Sequence, residues 1–226
     1  MIYKLAAQVK TILGRADIHF EVIKWIGEWQ RKGLTEPGDY LEFGCGQSTI
    51  NFYKALRKIY RTNLPKEYFH MWLFDTFKGL PKATQLTDKH PVWKVGTFDL
   101  GGQKNFKDKL LKNQLPIDRF TIIAGDYKNT LKKFDKKKIK RAAFIYMDCD
   151  YYSSTKCALN FSKDLLQNFT VIYFDDLYSF AGNPNKGQLL AISEFNKENK
   201  NVGLVHYPIL DYVAPGRLWW SWVNQV

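Results

Sequence analysis

The stretch Ala142–Thr155 reads AAFIYMDCDYYSST: a bulky apolar run that ends in two carboxylates one residue apart and then turns into Tyr, Ser and Thr. A run this short and this apolar, Ala142 to Met147, predicts a strand buried on both faces, as in a parallel sheet. Asp148 and Asp150 then sit at its C-terminal end. In extended chain, residues i and i+2 point the same way, so both carboxylates can face one crevice. Open parallel sheets bind their ligands at that edge.

Working outward, the same pattern recurs. Tyr40–Phe43 reads as a strand followed by the tight exit Gly44–Gly46, with Pro37 and Gly38 as punctuation before it. Further strands are predicted at His70–Asp75, Phe120–Asp126 and Phe169–Asp176, and amphipathic helices at Asn51–Tyr60, Lys104–Leu111 and Thr155–Leu166. Such alternation implies an α/β sheet with helices on both faces. Two late segments, VGLVHYPIL and GRLWWSWV, predict an antiparallel pair at one edge, joined through Pro215-Gly216. Residues 1–36 are expected to form a helical segment on the core, with Thr11 or Asp17 as caps and Ile18, Val22, Trp25, Ile26 and Trp29 at helical spacing. Residues 37–226 are expected to form the main domain, and 79–102, rich in turn residues and poor in periodicity, a lid or substrate loop.

Composition narrows the class. The chain has 226 residues, 45% hydrophobic and 16% aromatic, which suits one large folded domain and excludes a disordered chain. No run approaches a membrane span and no leader-like apolar stretch opens the chain, so a cytoplasmic location is expected. Cys45, Cys149 and Cys157 have neither metal-site spacing nor the even count of a disulfide framework, and are expected to be reduced. The formal charge of +12 raises an anionic partner; its sharpest run is KKFDKKKIKR, Lys132–Arg141. A solvated helix end and loop is the ordinary reading of that run. A phosphate-rich ligand, nucleic acid or an anionic membrane surface is the alternative.

Five strand ends carry acids: Glu42, Asp75, Asp126, Asp148 and the pair Asp175-Asp176. One carboxylate after a strand is ordinarily a turn former or a helix cap. Five at matching positions gather at one sheet edge. The exit EFGCGQST lets backbone approach a ligand and opens a helix whose amides favour anions, but it lacks a full dinucleotide fingerprint and the P-loop lysine. Asp75 could accept ribose hydroxyls and Asp126 an adenine amino group, which fits a nucleoside cofactor without a pyrophosphate. Of the histidines, His70 and His206 read as structural, and His90, within the candidate lid, is the one rival base.

With these residues in view, the chain resembles the macrocin O-methyltransferase family of S-adenosylmethionine-dependent sugar methyltransferases. The matching stretches are PGDYLEFGCGQST (37–49), WLFDTFKGLP (72–81), AGDYKNTL (124–131), IYMDCDYYSST (145–155) and VIYFDD (171–176). The resemblance implies a Rossmann-like class I methyltransferase fold: a mostly parallel seven-stranded sheet with an antiparallel C-terminal edge strand. It implies a cofactor loop at Glu42, Gly44, Gly46 and Ser48, ribose contacts at Asp75 and Thr76, and adenine contacts at Asp126 and Tyr127. Asp148, Asp175 and Asp176 match the family's magnesium ligands and Asp150 its general base. The sequence departs from the family where QNFT replaces a glycine pair before the fifth strand. The expected activity is Mg²⁺-dependent methyl transfer to a hydroxyl of a sugar or glycosylated metabolite, with an anionic acceptor suiting the basic surface and a homo-oligomer allowed. A catechol-type acceptor and a nucleic-acid-binding protein on the same fold are the alternatives.

Overall fold

The computed structural model describes residues 17–61 and 69–224. Its sheet has seven strands: β1 (Asp39–Phe43), β2 (Met71–Asp75), β3 (Phe120–Ala124), β4 (Ala142–Met147), β5 (Val171–Phe174), β6 (Val202–His206) and β7 (Leu218–Val223). They lie in the order β3-β2-β1-β4-β5-β7-β6. The first five run parallel, and β7 is antiparallel to both β5 and β6. The late pair thus forms one edge, with β7 tucked inside and β6 outermost. The chain reverses its direction of travel across the sheet between β1 and β4, where such sheets open a crevice at their C-terminal ends.

Burial explains the strand pattern. β1 and β4 are buried along their whole length, as runs covered on both faces must be. Alternate residues serve opposite cores. Tyr40, Met71, Leu73, Phe144, Tyr146 and Tyr173 pack on one face with α1 (Ile18–Arg31), α2 (Gln47–Tyr60) and α3 (Gly102–Lys112). Leu41, Phe43, Trp72, Phe74, Ile145 and Phe174 pack on the other with α4 (Tyr127–Lys133), α5 (Tyr152–Ser162) and α6 (Gly187–Glu198). Tyr40 stacks on Phe52 of α2 with ring centroids 3.8 Å apart, which fixes that helix against the central strand.

Of the expected N-terminal segment, residues 1–16, and with them the cap at Thr11, lie outside the described residues. From Asp17 the chain is described: the Asp17 carboxylate accepts from the His19 amide at 3.0 Å and caps α1. Val22, Ile23, Ile26 and Trp29 are buried toward the core. No helix among the described residues is long and apolar enough to cross a membrane. Cys45 and Cys149 are buried, Cys157 is half-buried, and none is bridged.

The basic run Lys132–Arg141 lies at the end of the sheet opposite the crevice, between α4 and the start of β4. Part of its charge is used locally: Lys136 pairs with Asp164 at 2.8 Å and Arg141 donates to the Asp164 carbonyl at 3.1 Å. Segment 79–101 has neither helix nor strand, yet it is pinned. The Leu80 amide donates to the Thr97 carbonyl at 2.8 Å, and the Gly96 amide returns to the Leu80 carbonyl at 2.9 Å.

Candidate active site

At the C-terminal ends of β1 to β5 a cavity of about 610 Å³ opens, within the range of sites for small ligands and cofactors. Gly44, Gly46, Asp75, Thr76, Asp126, Tyr127, Asp148, Asp150, Asp175 and Asp176 all line it. Glu42 and Ser48 do not; they lie beneath the glycine exit.

Glu42 is fully buried and accepts from Ser48 Oγ, from Thr49 Oγ1 at 2.6 Å and from Tyr40 OH at 3.0 Å. Its carboxyl is therefore spent on tying the first turn of α2 to β1. Burial pushes it up to about 7, against the three hydroxyl donors that favour its charge. Gly44, at φ 85°, crosses over the end of β4, and a Cβ there would overlap the Asp148 carbonyl oxygen. The two central strand ends can meet only because this residue is glycine.

Asp75, at the end of β2, accepts from the Cys45 amide at 2.7 Å through one oxygen and from the Phe77 amide at 2.6 Å through the other. This fixes the carboxylate plane while leaving lone pairs toward the cavity. Burial raises its pKa, and the backbone donors oppose that. Thr76 Oγ1 donates to the Gly79 carbonyl at 3.1 Å. Asp126 caps α4 through the Lys128 amide at 2.8 Å, and Tyr127 OH donates to the Phe74 carbonyl at 2.9 Å. Asp126 thus fills the ordinary capping role and also faces the cavity.

On the other side of the cavity, Asp148, Asp175 and Asp176 each place a carboxylate oxygen within 4.8 Å of the others. Oxygen donors grouped this closely suit a hard divalent cation such as Mg²⁺. Asp175 Oδ1 accepts from Tyr173 OH at 3.0 Å and lies 3.7 Å from Arg217 Nη1, and Arg217 also donates to the Asp175 carbonyl. Asp176 Oδ1 accepts from Ser179 Oγ at 3.0 Å. Gln188 joins the strand ends: its Oε1 accepts from the Asp176 amide and its Nε2 donates to the Met147 carbonyl, both at 3.0 Å.

Asp150 stands in the left-handed region at φ 57°, a conformation that Asp tolerates better than most residues. Its amide donates to Asp176 Oδ2 at 3.2 Å, so the turn that strains Asp150 also ties it to the cluster. Burial first, then the Asp176, Asp175 and Asp75 charges, push Asp150 up to about 8. Asp148 is raised well above the usual carboxylate range by burial and by Asp175, Asp176 and Asp150. This crowding is costly unless cation charge or protons offset it.

Sequence reasoning did not single out Arg217, Gln188, Lys82 or Phe98. Arg217 and Gln188 reach the strand ends from β7's approach and from α6, far along the chain. Lys82 and Phe98 line the cavity from a segment without periodicity. His90 is an anchor: its Nε2 lies 2.9 Å from the Ser179 carbonyl, which can only accept, and its ring stacks on Trp93 at 4.0 Å. His70 bonds Thr121 and His206 bonds Asp211, as structural histidines do.

The family model for macrocin-O-methyltransferase (TylF) matches residues 31–205. No protein of curated function matches the chain. Among solved structures, the calicheamicin methyltransferase CalS11 aligns with a TM-score of 0.65 at 21% identity, over 95% of this chain and 83% of its own. Its apo form, described as a TDP-rhamnose 3'-O-methyltransferase, aligns at 0.56 and 19%, covering 95% and 84%. The O-methyltransferase NovP aligns at 0.58 and 15%, covering 93% and 80%. TomG of Streptomyces achromogenes, an O-methyltransferase solved with SAM, aligns at 0.53 and 11%, covering 98% and 96%.

Proposed function

The chain belongs to the macrocin O-methyltransferase family and is an O-methyltransferase, and we propose that it moves a methyl group from S-adenosylmethionine to a hydroxyl of a sugar or glycosylated metabolite, with Mg²⁺. The observation that carries this reading is that one cavity holds Asp75 on one side and, on the other, the Asp148–Asp175–Asp176 cluster with Asp150 beside it.

Gly44 and Gly46 leave the backbone open for the cofactor, Asp75 and Thr76 receive the ribose hydroxyls, and Asp126 and Tyr127 border the adenine. Glu42 and Ser48 act beneath them by holding the loop. S-adenosylmethionine, when bound, supplies an electrophilic methyl on a positively charged sulfur. Asp148, Asp175 and Asp176 would hold Mg²⁺, which when bound lowers the cost of negative charge on an acceptor oxygen. Asp150 would take the proton of the acceptor hydroxyl as that oxygen becomes the nucleophile for the methyl. The fixed Asp75 and the tethered Asp150 confine both reactants, which converts binding into orientation.

The test is transfer of label from S-adenosylmethionine to a panel of sugars, glycolipids, catechols and RNA, with Mg²⁺ or with chelator. Labelled product is expected on a glycan, and is expected to be lost with chelator. Asp150→Asn is expected to lose about 10² to 10⁴ in turnover while keeping cofactor affinity, the usual size of a general-base contribution. Product confined to catechols or to RNA would overturn the sugar assignment, and full turnover with chelator would remove the metal.

A further inference from the structure

The segment from Lys82 to Phe98 has two unlike sides. Its inner residues hold it to the body: Asp88 is 1% exposed and accepts from the Ser153 amide at 3.0 Å, and His90 and Trp93 pack against Phe180. Its outer side carries large apolar groups in water, with Leu86 75%, Val92 68%, Val95 68% and Phe98 62% exposed. Among them stand the exposed Lys82, Lys89 and Lys94. Between Lys82 and Phe98 these three lysines stand against one carboxylate, the buried Asp88; the exposed Asp99, just beyond, accepts from the Gly101 amide at 2.8 Å and lines the cavity. Exposed aliphatic groups concentrated on one short segment mark a contact surface.

We propose that this outer face docks on an anionic lipid bilayer, so that the cavity mouth, bordered by Lys82 and Phe98, meets a sugar carried at that surface. The second clause rests on the methyl-transfer reading; the docking itself does not. Aliphatic groups that enter the headgroup boundary and lysines that meet anionic headgroups are the two signals that together give stable membrane association. A second copy of this chain fits poorly. A two-fold contact through this face would set each copy's lysines against the other's. A small apolar acceptor does not account for the face either, because Leu86, Val92 and Val95 lie outside the cavity lining. Nucleic acid would ask for stacking rings and not exposed valines.

The experiment is co-sedimentation of the full chain, without methyl donor, with vesicles of phosphatidylcholine alone or mixed with phosphatidylglycerol. Binding is expected only to the mixed vesicles, and is expected to weaken with salt. Lys89→Glu with Lys94→Glu should weaken it by about 25-fold or more, at roughly fivefold per lysine. Leu86→Ser with Val92→Ser and Val95→Ser should weaken it too, with melting temperatures near wild type to show that each variant folds. A variant carrying Lys132→Glu, Lys133→Glu and Lys137→Glu, at the far end of the sheet, should bind as wild type does. No binding to mixed vesicles, or binding lost only in this last variant, overturns the proposal. So does a dimer in sedimentation velocity that the serine substitutions disperse. Because the readout needs no turnover, its failure is separate from a failure of the methyl-transfer assignment.

Discussion

At the scale of single residues, Glu42 carries an unusual load. It is a fully buried carboxyl, displaced upward to about 7 by loss of water. Between its unfolded value near 4.5 and about 7, the folded state holds a proton that the unfolded state has released. Stability linked to Glu42 is therefore fully present below about 4.5 and falls as pH rises toward 7. The gap corresponds to roughly 3 kcal/mol as an upper bound. Glu42→Gln keeps the shape and an acceptor oxygen but cannot ionise. Denaturant unfolding of the variant at pH 5 and pH 8 is expected to show a smaller loss across that interval than wild type. An equal loss in both proteins would clear Glu42 of responsibility. The sequence placed Glu42 at the glycine exit, and its position in the strand was legible from the punctuation at Pro37-Gly38 and Gly44–Gly46. That its oxygens would be taken by Ser48, Thr49 and Tyr40 was not, because it depends on the rotation of α2 over β1.

At the scale of elements, the five parallel strands were legible because each is a short apolar run with a carboxylate at its C-terminal end. Chain order then gathered those carboxylates at one edge. α4 was read only as a helix end at Lys132 and α6 was missed, for physical reasons: α4 is one seven-residue stretch that buries only Leu131, and α6 spends part of its buried face on Gln188. The anchoring of segment 79–102 was also illegible, since it is made of long-range contacts. α5 begins at Tyr152, its N-cap residue Tyr151 supplies no side-chain cap, and Asp88 supplies one from the opposite segment by accepting the Ser153 amide. This contact stabilises the helix that follows Asp150 and pins the segment at once. Asp88→Ala is expected to cost about 0.5 to 2 kcal/mol, as the loss of a helix cap does. Limited proteolysis should show cleavage within 79–102 rising in that variant. A cleavage rate that matches wild type would mean that His90, Trp93 and the Thr87 carbonyl, which accepts from the Gly187 amide at 3.4 Å, hold the segment without Asp88.

At the scale of the whole molecule, a basic protein of net charge +12 surrounds a cavity in which acids outnumber cations, since Lys82 and Lys128 face Asp75, Asp99, Asp126 and the Asp148–Asp176 group. Such a site is poorly stabilised while its charges stand alone, and a ligand that binds only the folded chain shifts the unfolding equilibrium by mass action. S-adenosylhomocysteine, the demethylated product, is the probe of choice because it cannot turn over. At about 100 times its dissociation constant it is expected to add about 2.7 kcal/mol, or about 5 to 10 °C in melting temperature for a chain of this size. Asp75→Asn leaves one acceptor oxygen and removes the charge proposed to receive the ribose hydroxyls, for an expected loss of about 1.5 to 3 kcal/mol in affinity. At the same concentration the shift should shrink to about 1 to 5 °C. The variant also weakens the tie from Asp75 to the Cys45 and Phe77 amides, so its unliganded melting temperature should fall. The comparison is therefore between the ligand-induced shifts of the two proteins. If both rise by the same amount, the cofactor does not lie against Asp75, and the cavity's other acidic side becomes the place to look for it.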